Sequence, residues 1–209
     1  MPTTRTTTAE NGVMEARQAV ADGGQIERVL AQLGKRCIVL VGMMGAGKTS
    51  IGKRLANLLH LPFLDADSEI EKAANLSIPE IFAKHGEADF REGEKRVVAR
   101  LLSSGPAVLA TGGGAYMNEE TRERCRADGV TIWLKADVPV LLERVRKKGN
   151  RPLLDRPNPE EVMQELLRER EPIYSLADIV IASREGPHQT VIGDIIAALD
   201  EFLSEGPAS

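Results

Sequence analysis

The sequence predicts an α/β protein with three layers, α/β/α, built around a five-stranded, mostly parallel sheet. Five short apolar runs alternate with segments whose apolar residues recur at helical spacing, which indicates repeated β–α–β units. The run over residues 37–41 is continuous, as is typical of a strand buried on both faces of a parallel sheet. The runs cover residues 37–41, 62–65, 107–110, 130–134 and 178–182, and the helical patterns include 139–148, 159–170 and 189–203.

Length and composition favour one globular domain. The chain has 209 residues, of which 42% are apolar and 28% charged, with a net charge of −4. These values are ordinary for a globular protein. The mild acidity, with only four Phe, two Tyr and one Trp, argues against a nucleic-acid partner, which needs basic stripes or stacking platforms.

The sequence also excludes a membrane partner. No apolar run reaches the roughly 18–20 residues that span a bilayer, and the N-terminus lacks the apolar stretch of a secretory signal. Cys37 and Cys125 have no CxxC partner and fit buried, reduced thiols, although a disulfide between them stays open. We therefore expect a cytoplasmic protein.

The chain divides into a tail and a single domain. Residues 1–24 are polar and Thr-rich and end at a Gly-Gly pair, which predicts a mobile N-terminal tail. The domain then covers residues 25–209. It opens with a short helix whose apolar residues begin at Ile26 and whose C-cap is Gly34.

The strongest functional signal follows the first apolar run. Residues 42–49, GMMGAGKT, match the G-x-x-x-x-G-K-[ST] pattern between a buried strand and an amphipathic helix. Glycines let backbone N–H groups approach phosphates, Lys48 can reach the β- and γ-phosphates, and Thr49 can ligate Mg²⁺. A glycine turn that merely joins strand to helix would need neither Lys48 nor Thr49. The predicted nucleotide-binding residues here are Gly45, Ala46, Gly47, Lys48, Thr49 and Ser50.

Two carboxylates, Asp65 and Asp67, follow the second apolar run. Ligands of open α/β sheets sit at the carboxyl ends of strands. One carboxylate can therefore face Mg²⁺ and its waters, and the other an acceptor hydroxyl. The structural alternative is an N-cap, most simply Asp67 capping a helix over residues 68–75.

Six motifs in one order give a more specific resemblance. They are residues 42–49 (GMMGAGKT), 65–67 (DAD), 90–94 (FREGE), 111–115 (TGGGA), 151–154 (RPLL) and 170–174 (REPIY). Together they resemble the shikimate kinase family over about residues 35–203. The resemblance implies a P-loop kinase fold with a mobile lid at about 149–160. It also implies ATP-dependent phosphorylation of the 3-hydroxyl of shikimate, giving 3-phosphoshikimate and ADP in chorismate and aromatic amino-acid biosynthesis. Mg²⁺ is the implied cofactor, ATP and shikimate are the partners, and we expect a monomer.

The resemblance also implies roles for individual residues on the acceptor side. Arg91 and Arg170 match carboxylate-binding arginines, and a forked guanidinium suits that group. Asp67 matches the residue that holds the reacting hydroxyl and is the candidate base, while Asp65 matches the carboxylate near Mg²⁺. Glu94 would support the arginine network, and backbone amides of Gly112, Gly113 and Gly114 would approach the substrate. Taken singly, the arginines also fit solvated helix faces, and the glycines fit a flexible connection.

On the nucleotide side the resemblance assigns two further arginines. Arg151 matches the lid arginine that closes over the transferring phosphoryl group, so Lys48, Asp67 and Arg151 form the predicted catalytic set. Arg144 matches the arginine that stacks on adenine in several relatives, and residues 183–187 match the adenine-contacting loop. A solvated helix end is the simpler explanation of the basic run that contains Arg144.

Two other functions fit a phosphate-binding loop. A gluconate or nucleoside-monophosphate kinase would share the loop and the fold but not the triple glycine or residues 170–174. A nucleotide-dependent switch would need no acceptor pocket and would leave Asp67, Arg91 and Arg170 unexplained. The sequence therefore favours a small-molecule kinase.

Overall fold

A computed structural model of the protein describes residues 23–148, 158–184 and 186–206. It contains a five-stranded sheet in the order β2-β3-β1-β4-β5. The strands are β1 (Cys37–Val41), β2 (Phe63–Asp65), β3 (Val108–Ala110), β4 (Gly129–Lys135) and β5 (Ile179–Ala182). All four pairings are parallel. The predicted fold class is confirmed, and the sheet is parallel throughout the part of the chain that the structure describes.

Helices connect the strands and cover both faces of the sheet. They are α1 (Gly23–Leu33), α2 (Lys48–Leu59), α3 (Ala66–Ala74), α4 (Ile78–Leu102), α5 (Glu119–Asp128), α6 (Val138–Lys148), α7 (Pro159–Tyr174) and α8 (His188–Glu205). A 3₁₀ turn, Ala115–Met117, lies between β3 and α5. Helix α4 is interrupted at Gly86, whose φ of 80° and ψ of 176° leave the helical region.

The core lies between the sheet and these helices. Every residue of β1 is buried, as expected for the central strand of a sheet covered on both faces. The fifth apolar run is different. In β5 the burial alternates, with Ile179 and Ile181 buried and Val180 49% exposed. This alternation arises because β5 is an edge strand of the sheet, with β4 as its neighbour on one side.

The start of the described chain also differs from the prediction. Gly23 and Gly24, which the sequence placed in the tail, belong to the first turn of α1. This helix packs on α8, where Arg28 forms an ion pair with Asp200. Gly34 follows the helix with a φ of 61°, as predicted for a C-cap. The rest of the predicted tail lies outside the described residues.

Two expectations about the whole chain can be compared with the described residues. Cys37 and Cys125 are both buried and carry free thiols. Among residues 23–148, 158–184 and 186–206, no helix has the length and apolar character needed to cross a bilayer.

The strand register brings the functional loops together. Leu40 of β1 pairs with Ala110 of β3, and Ala110 also pairs with Asp65 of β2. Two residues beyond this row, the chain reaches Gly42, Gly112 and Asp67. In the sheet, β2 and β3 lie on one side of β1, and β4 and β5 lie on the other. The order in which strands are added to the sheet therefore changes direction at β1. Such a switch point is where open α/β sheets place their ligands.

Candidate active site

The loop after β1 has the backbone conformation of a phosphate-binding loop. Gly45 and Gly47 have backbone φ values of 83° and 96°, which residues other than glycine rarely adopt. Helix α2 begins at Lys48, so its N-terminal amides and dipole face the loop. The Lys48 ammonium folds back along the loop and donates to the carbonyl oxygens of Gly42 at 2.6 Å and Met43 at 3.0 Å.

A cavity of about 220 Å³ opens beside this loop and is lined by Gly45, Gly47, Ser50, Ile51, Arg144, Lys147, Ser183, Arg184, Gly186, His188 and Val191. The Arg144 guanidinium donates to the Ser183 hydroxyl at 2.8 Å and to the Arg184 carbonyl at 2.7 Å. The buried Ser183 hydroxyl donates in turn to the Ala46 carbonyl at 2.8 Å. Arg144 and the loop after β5 are thus fixed against the phosphate-binding loop.

Thr49 and Asp65 form the predicted metal-facing pair. The Thr49 hydroxyl donates to Asp65 Oδ2 at 3.0 Å. The other Asp65 oxygen accepts from the backbone N–H of Ser68 at 3.3 Å, so Asp65 is also the N-cap of α3. The alternative that Asp67 caps a helix over 68–75 was wrong, because the helix begins at Ala66, immediately after Asp65. Asp67 therefore lies within the first turn of α3.

Three consecutive glycines form the centre of the acceptor side. A methyl group placed on Gly112 would lie 2.6 Å from Glu94 Oε1 and 2.8 Å from Asp67 Oδ1. One on Gly113 would lie 3.6 Å from both Arg170 Nη1 and the Met44 amide nitrogen, and one on Gly114 would overlap the Arg91 guanidinium. The loop after β3 therefore touches every predicted acceptor-binding side chain and also the phosphate-binding loop.

The acceptor side holds a buried carboxylate that is paired with an arginine. Glu94 is 3% exposed and pairs with Arg91 Nη1 at 2.7 Å, while Arg91 also contacts Glu87 at 3.2 Å. Burial raises the pKa of the Glu94 carboxyl, and Asp67 acts in the same direction, whereas Arg91 and Arg170 lower it. Glu94 thus fixes one arm of the Arg91 guanidinium, while Nε and Nη2 of Arg91 both donate to Glu87 Oε1.

A protein-family model described as shikimate kinase matches residues 44–200. The chain belongs to the shikimate kinase family. A shikimate kinase of Bradyrhizobium diazoefficiens is 58% identical over 175 residues, which cover 84% of each chain. One of Rhodopseudomonas palustris is 52% identical over 183 residues, covering 88% of this chain and 90% of that one.

Solved structures of the family have the same fold. The shikimate kinase from Acinetobacter baumannii in complex with shikimate superposes with a TM-score of 0.77 at 39% identity. The match covers 86% of this chain and 99% of that one. A gluconokinase from Sinorhizobium meliloti, at 18% identity and a TM-score of 0.58, shares the fold alone.

Within this family member, the structure brings together most of the residues selected from sequence. Lys48, Thr49 and Asp65 lie on the phosphate side, and the acceptor residues surround Gly112–Gly114. Arg151 and most of the predicted lid over 149–160 lie outside the described residues. Of that lid, residues 159–160 begin helix α7, and Asn158 is its N-cap.

Sequence reasoning assigned no role to Tyr174, although it belongs to a quoted motif. Its hydroxyl donates to the Gly113 carbonyl, which also accepts from Arg170 Nη1 at 3.3 Å. The spacing of Arg170 and Tyr174 could have identified it, since residues four apart on a helix project from one face. Ser183, quoted only within a loop, proves to be a buried link between Arg144 and Ala46.

Proposed function

We propose that the chain phosphorylates the 3-hydroxyl of shikimate with ATP, giving 3-phosphoshikimate and ADP for chorismate and aromatic amino-acid biosynthesis. One observation carries this proposal: carboxylates and guanidinium groups from α3, α4 and α7 converge on the Gly112–Gly114 loop, which abuts the phosphate-binding loop. A phosphate-binding loop alone would serve many nucleotide-binding proteins. The charged acceptor pocket beside it is what a kinase for a hydroxylated acid requires.

The acceptor pocket suits shikimate, a ring acid with three hydroxyl groups. Arg91 and Arg170 supply planar forks for its carboxylate. Asp67 orients the 3-hydroxyl and accepts its proton as the oxygen attacks the γ-phosphorus. Glu94 acts indirectly, because its ion pair holds the Arg91 guanidinium in place.

On the nucleotide side, catalysis is mainly alignment and charge neutralisation, because phosphoryl transfer demands little covalent chemistry of the protein. The backbone amides of residues 45–50 cradle the phosphates, and Lys48 neutralises charge on the β- and γ-phosphoryl oxygens. Arg144 and the loop at Ser183 hold the adenosine end. From the family resemblance alone, we assign Arg151 to the transferring phosphoryl group.

Thr49 and Asp65 are the residues that would hold Mg²⁺. Within the described residues, no group of three or more His, Cys, Asp or Glu could enclose a metal by itself. A hydroxyl and one carboxylate oxygen at 3.0 Å fit Mg²⁺, which in kinases keeps waters and takes its other ligands from phosphates. A Mg²⁺ ion held by these residues would supply positive charge to neutralise the phosphoryl oxygens.

The same proposal extends to the state of the protein. We propose that the chain from Gly23, at the start of α1, onward acts as a single kinase domain and that the protein is a monomer in the cytoplasm. The free, buried thiols of Cys37 and Cys125 support a reducing compartment.

An ADP-release panel tests the proposed function. The chain is incubated with Mg²⁺ and ATP, alone or with shikimate, gluconate or a nucleoside monophosphate. We expect rapid ADP release only with shikimate, and a product phosphorylated at the 3-oxygen by NMR. Turnover with gluconate or a nucleotide, with shikimate inert, would assign another acceptor. ATP hydrolysis of equal rate without any acceptor would favour a nucleotide-dependent switch.

A further inference from the structure

Tyr174 lies where the two halves of the site meet. It occupies the last turn of α7, is 0% exposed, and its ring stacks on Trp133 of β4 with centroids 5.9 Å apart. Its hydroxyl donates to the Gly113 carbonyl and lies 3.9 Å from Met43 Sδ in the phosphate-binding loop. A buried, fixed side chain therefore contacts both the acceptor loop and the phosphate-binding loop.

The contact with Gly113 fixes a whole peptide plane. The Gly113–Gly114 peptide is trans, so the Gly113 C=O and the Gly114 N–H are coplanar and point in opposite directions. Since the carbonyl is directed toward α7 by Tyr174 and Arg170, the Gly114 N–H is directed away from α7. Glycine peptides are otherwise the least restrained in a chain, so this orientation depends on outside contacts.

We propose that Tyr174 is a positioning residue for shikimate: its hydroxyl holds the Gly113–Gly114 peptide so that the Gly114 N–H is presented to the acceptor pocket. This inference rests on the proposed function. It differs from the role proposed for Arg170, which is to bind the substrate carboxylate; Arg170 also donates to the Gly113 carbonyl, at 3.3 Å.

The surroundings of Tyr174 keep this donor in place. Burial raises the pKa of its phenol to about 12, with Arg170 acting in the opposite direction, so the hydroxyl keeps its proton at neutral pH. The ring stack with Trp133 fixes the position of the hydroxyl. Next to it, Lys135 lies over the same indole at 5.0 Å and pairs with Glu171 of α7.

Tyr174→Phe removes the hydroxyl and keeps the ring. We expect a rise of about 5- to 10-fold in KM for shikimate, the order of one net hydrogen bond. The KM for ATP and the kcat should stay close to the wild-type values. The lost Tyr174–Gly113 hydrogen bond orders the acceptor loop equally in the substrate complex and in the transition state, so its loss weakens both equally. Direct titration should show the same fold loss in shikimate affinity.

Tyr116→Phe is the matched control. Tyr116 is also 0% exposed, and its hydroxyl also donates to a backbone carbonyl, that of Leu176 at 3.4 Å. Both variants lose a buried hydroxyl, so both should lower the midpoint of urea unfolding modestly. The KM for shikimate should rise in Tyr174→Phe and stay unchanged in Tyr116→Phe.

Three results would overturn the positioning role. They are an unchanged KM for shikimate in Tyr174→Phe, an equal rise in both KM values, or the same rise in Tyr116→Phe. If Tyr174→Phe fails to fold, Tyr174→Trp takes its place, because its indole supplies an N–H donor on a ring. Per folded molecule, Tyr174→Trp must retain part of the wild-type affinity for shikimate. A Tyr174→Trp protein that binds ATP but has no measurable affinity for shikimate refutes the role. Wild-type protein that ignores shikimate would instead refute the proposed function.

Discussion

A single methyl group on Gly112 tests whether the acceptor pocket is as close-packed as the structure shows. Gly112 is buried at the carboxyl end of β3, and its backbone φ is one that alanine can adopt. The substitution Gly112→Ala therefore adds no backbone strain. Its whole effect comes from the new Cβ, which meets Glu94 Oε1 at 2.6 Å and Asp67 Oδ1 at 2.8 Å.

The required displacement sets the expected magnitude. Ordinary contacts of a Cβ atom begin at 3.4 Å, so the Glu94 oxygen must withdraw by 0.8 Å and the Asp67 oxygen by 0.6 Å. The Glu94 side chain is buried and paired with Arg91, so it has little room to move. Misplacement of a catalytic group by about 1 Å can cost on the order of 100-fold in rate. We expect kcat/KM for shikimate to fall by roughly 10- to 100-fold.

Coupled measurement of ADP release, with urea unfolding as a check on folding, provides the assay. Gly93→Ala is the control, because a Cβ on Gly93 would meet nothing within 4 Å and the residue lies inside α4. That variant should keep its activity and gain about 0.5–1 kcal/mol in unfolding free energy. A folded Gly112→Ala protein with kcat/KM within twofold of wild type would refute the packing argument.

Three further substitutions probe separate parts of the site. Lys48→Ala should lower kcat by roughly 10³-fold or more, since phosphoryl clamps elsewhere contribute about 10³–10⁵; near-normal single-turnover rates would exclude that role. Arg91→Ala should weaken shikimate binding but not ATP binding, and calorimetric titrations that show equal losses would make Arg91 structural. Glu94→Gln should change how stability depends on pH. Burial raises the pKa of Glu94 above 4.5, so its stabilising contribution is complete below that pH and declines as pH rises through the folded-state pKa. The unfolding free energy of Glu94→Gln, measured in urea from about pH 4 to 7, should therefore decline less than that of the wild type, and parallel curves would contradict this.

The phosphate side was predictable because its determinants are local. The apolar run at 37–41 and the glycines, lysine and threonine that follow it lie within a stretch of 13 residues, 37 to 49. Backbone N–H groups form most of this phosphate site, so its geometry depends on backbone conformation. The spacing of the glycines in the sequence indicates that conformation directly. The structure accordingly shows the positive φ angles and the helix start at Lys48 that the motif predicts.

Other features depend on tertiary structure and could not be predicted from local patterns. An apolar run such as residues 178–182 looks the same in an edge strand as in a central one, and only the strand order shows that β5 is at the edge. Likewise, Asp65 and Asp67 are equally good caps by residue type. The choice of Asp65 follows from the β2 register, which ends the strand at that residue.

The acceptor side shows why several weak motifs identify an acceptor better than one strong motif. Its side chains come from α3, α4 and α7, with Asp67 and Arg170 separated by 103 residues (170 − 67), and none of them is informative alone. They meet because all of them lie against the three glycines of the loop after β3: Asp67 and Glu94 at Gly112, Arg170 at Gly113 and Arg91 at Gly114. A gluconokinase shares the fold at 18% identity, so the fold alone does not specify the acceptor. Converting this site to a different acceptor would therefore require coordinated changes on all three helices, because a new side chain on one of them would still face the carboxylates and guanidinium groups fixed by the other two.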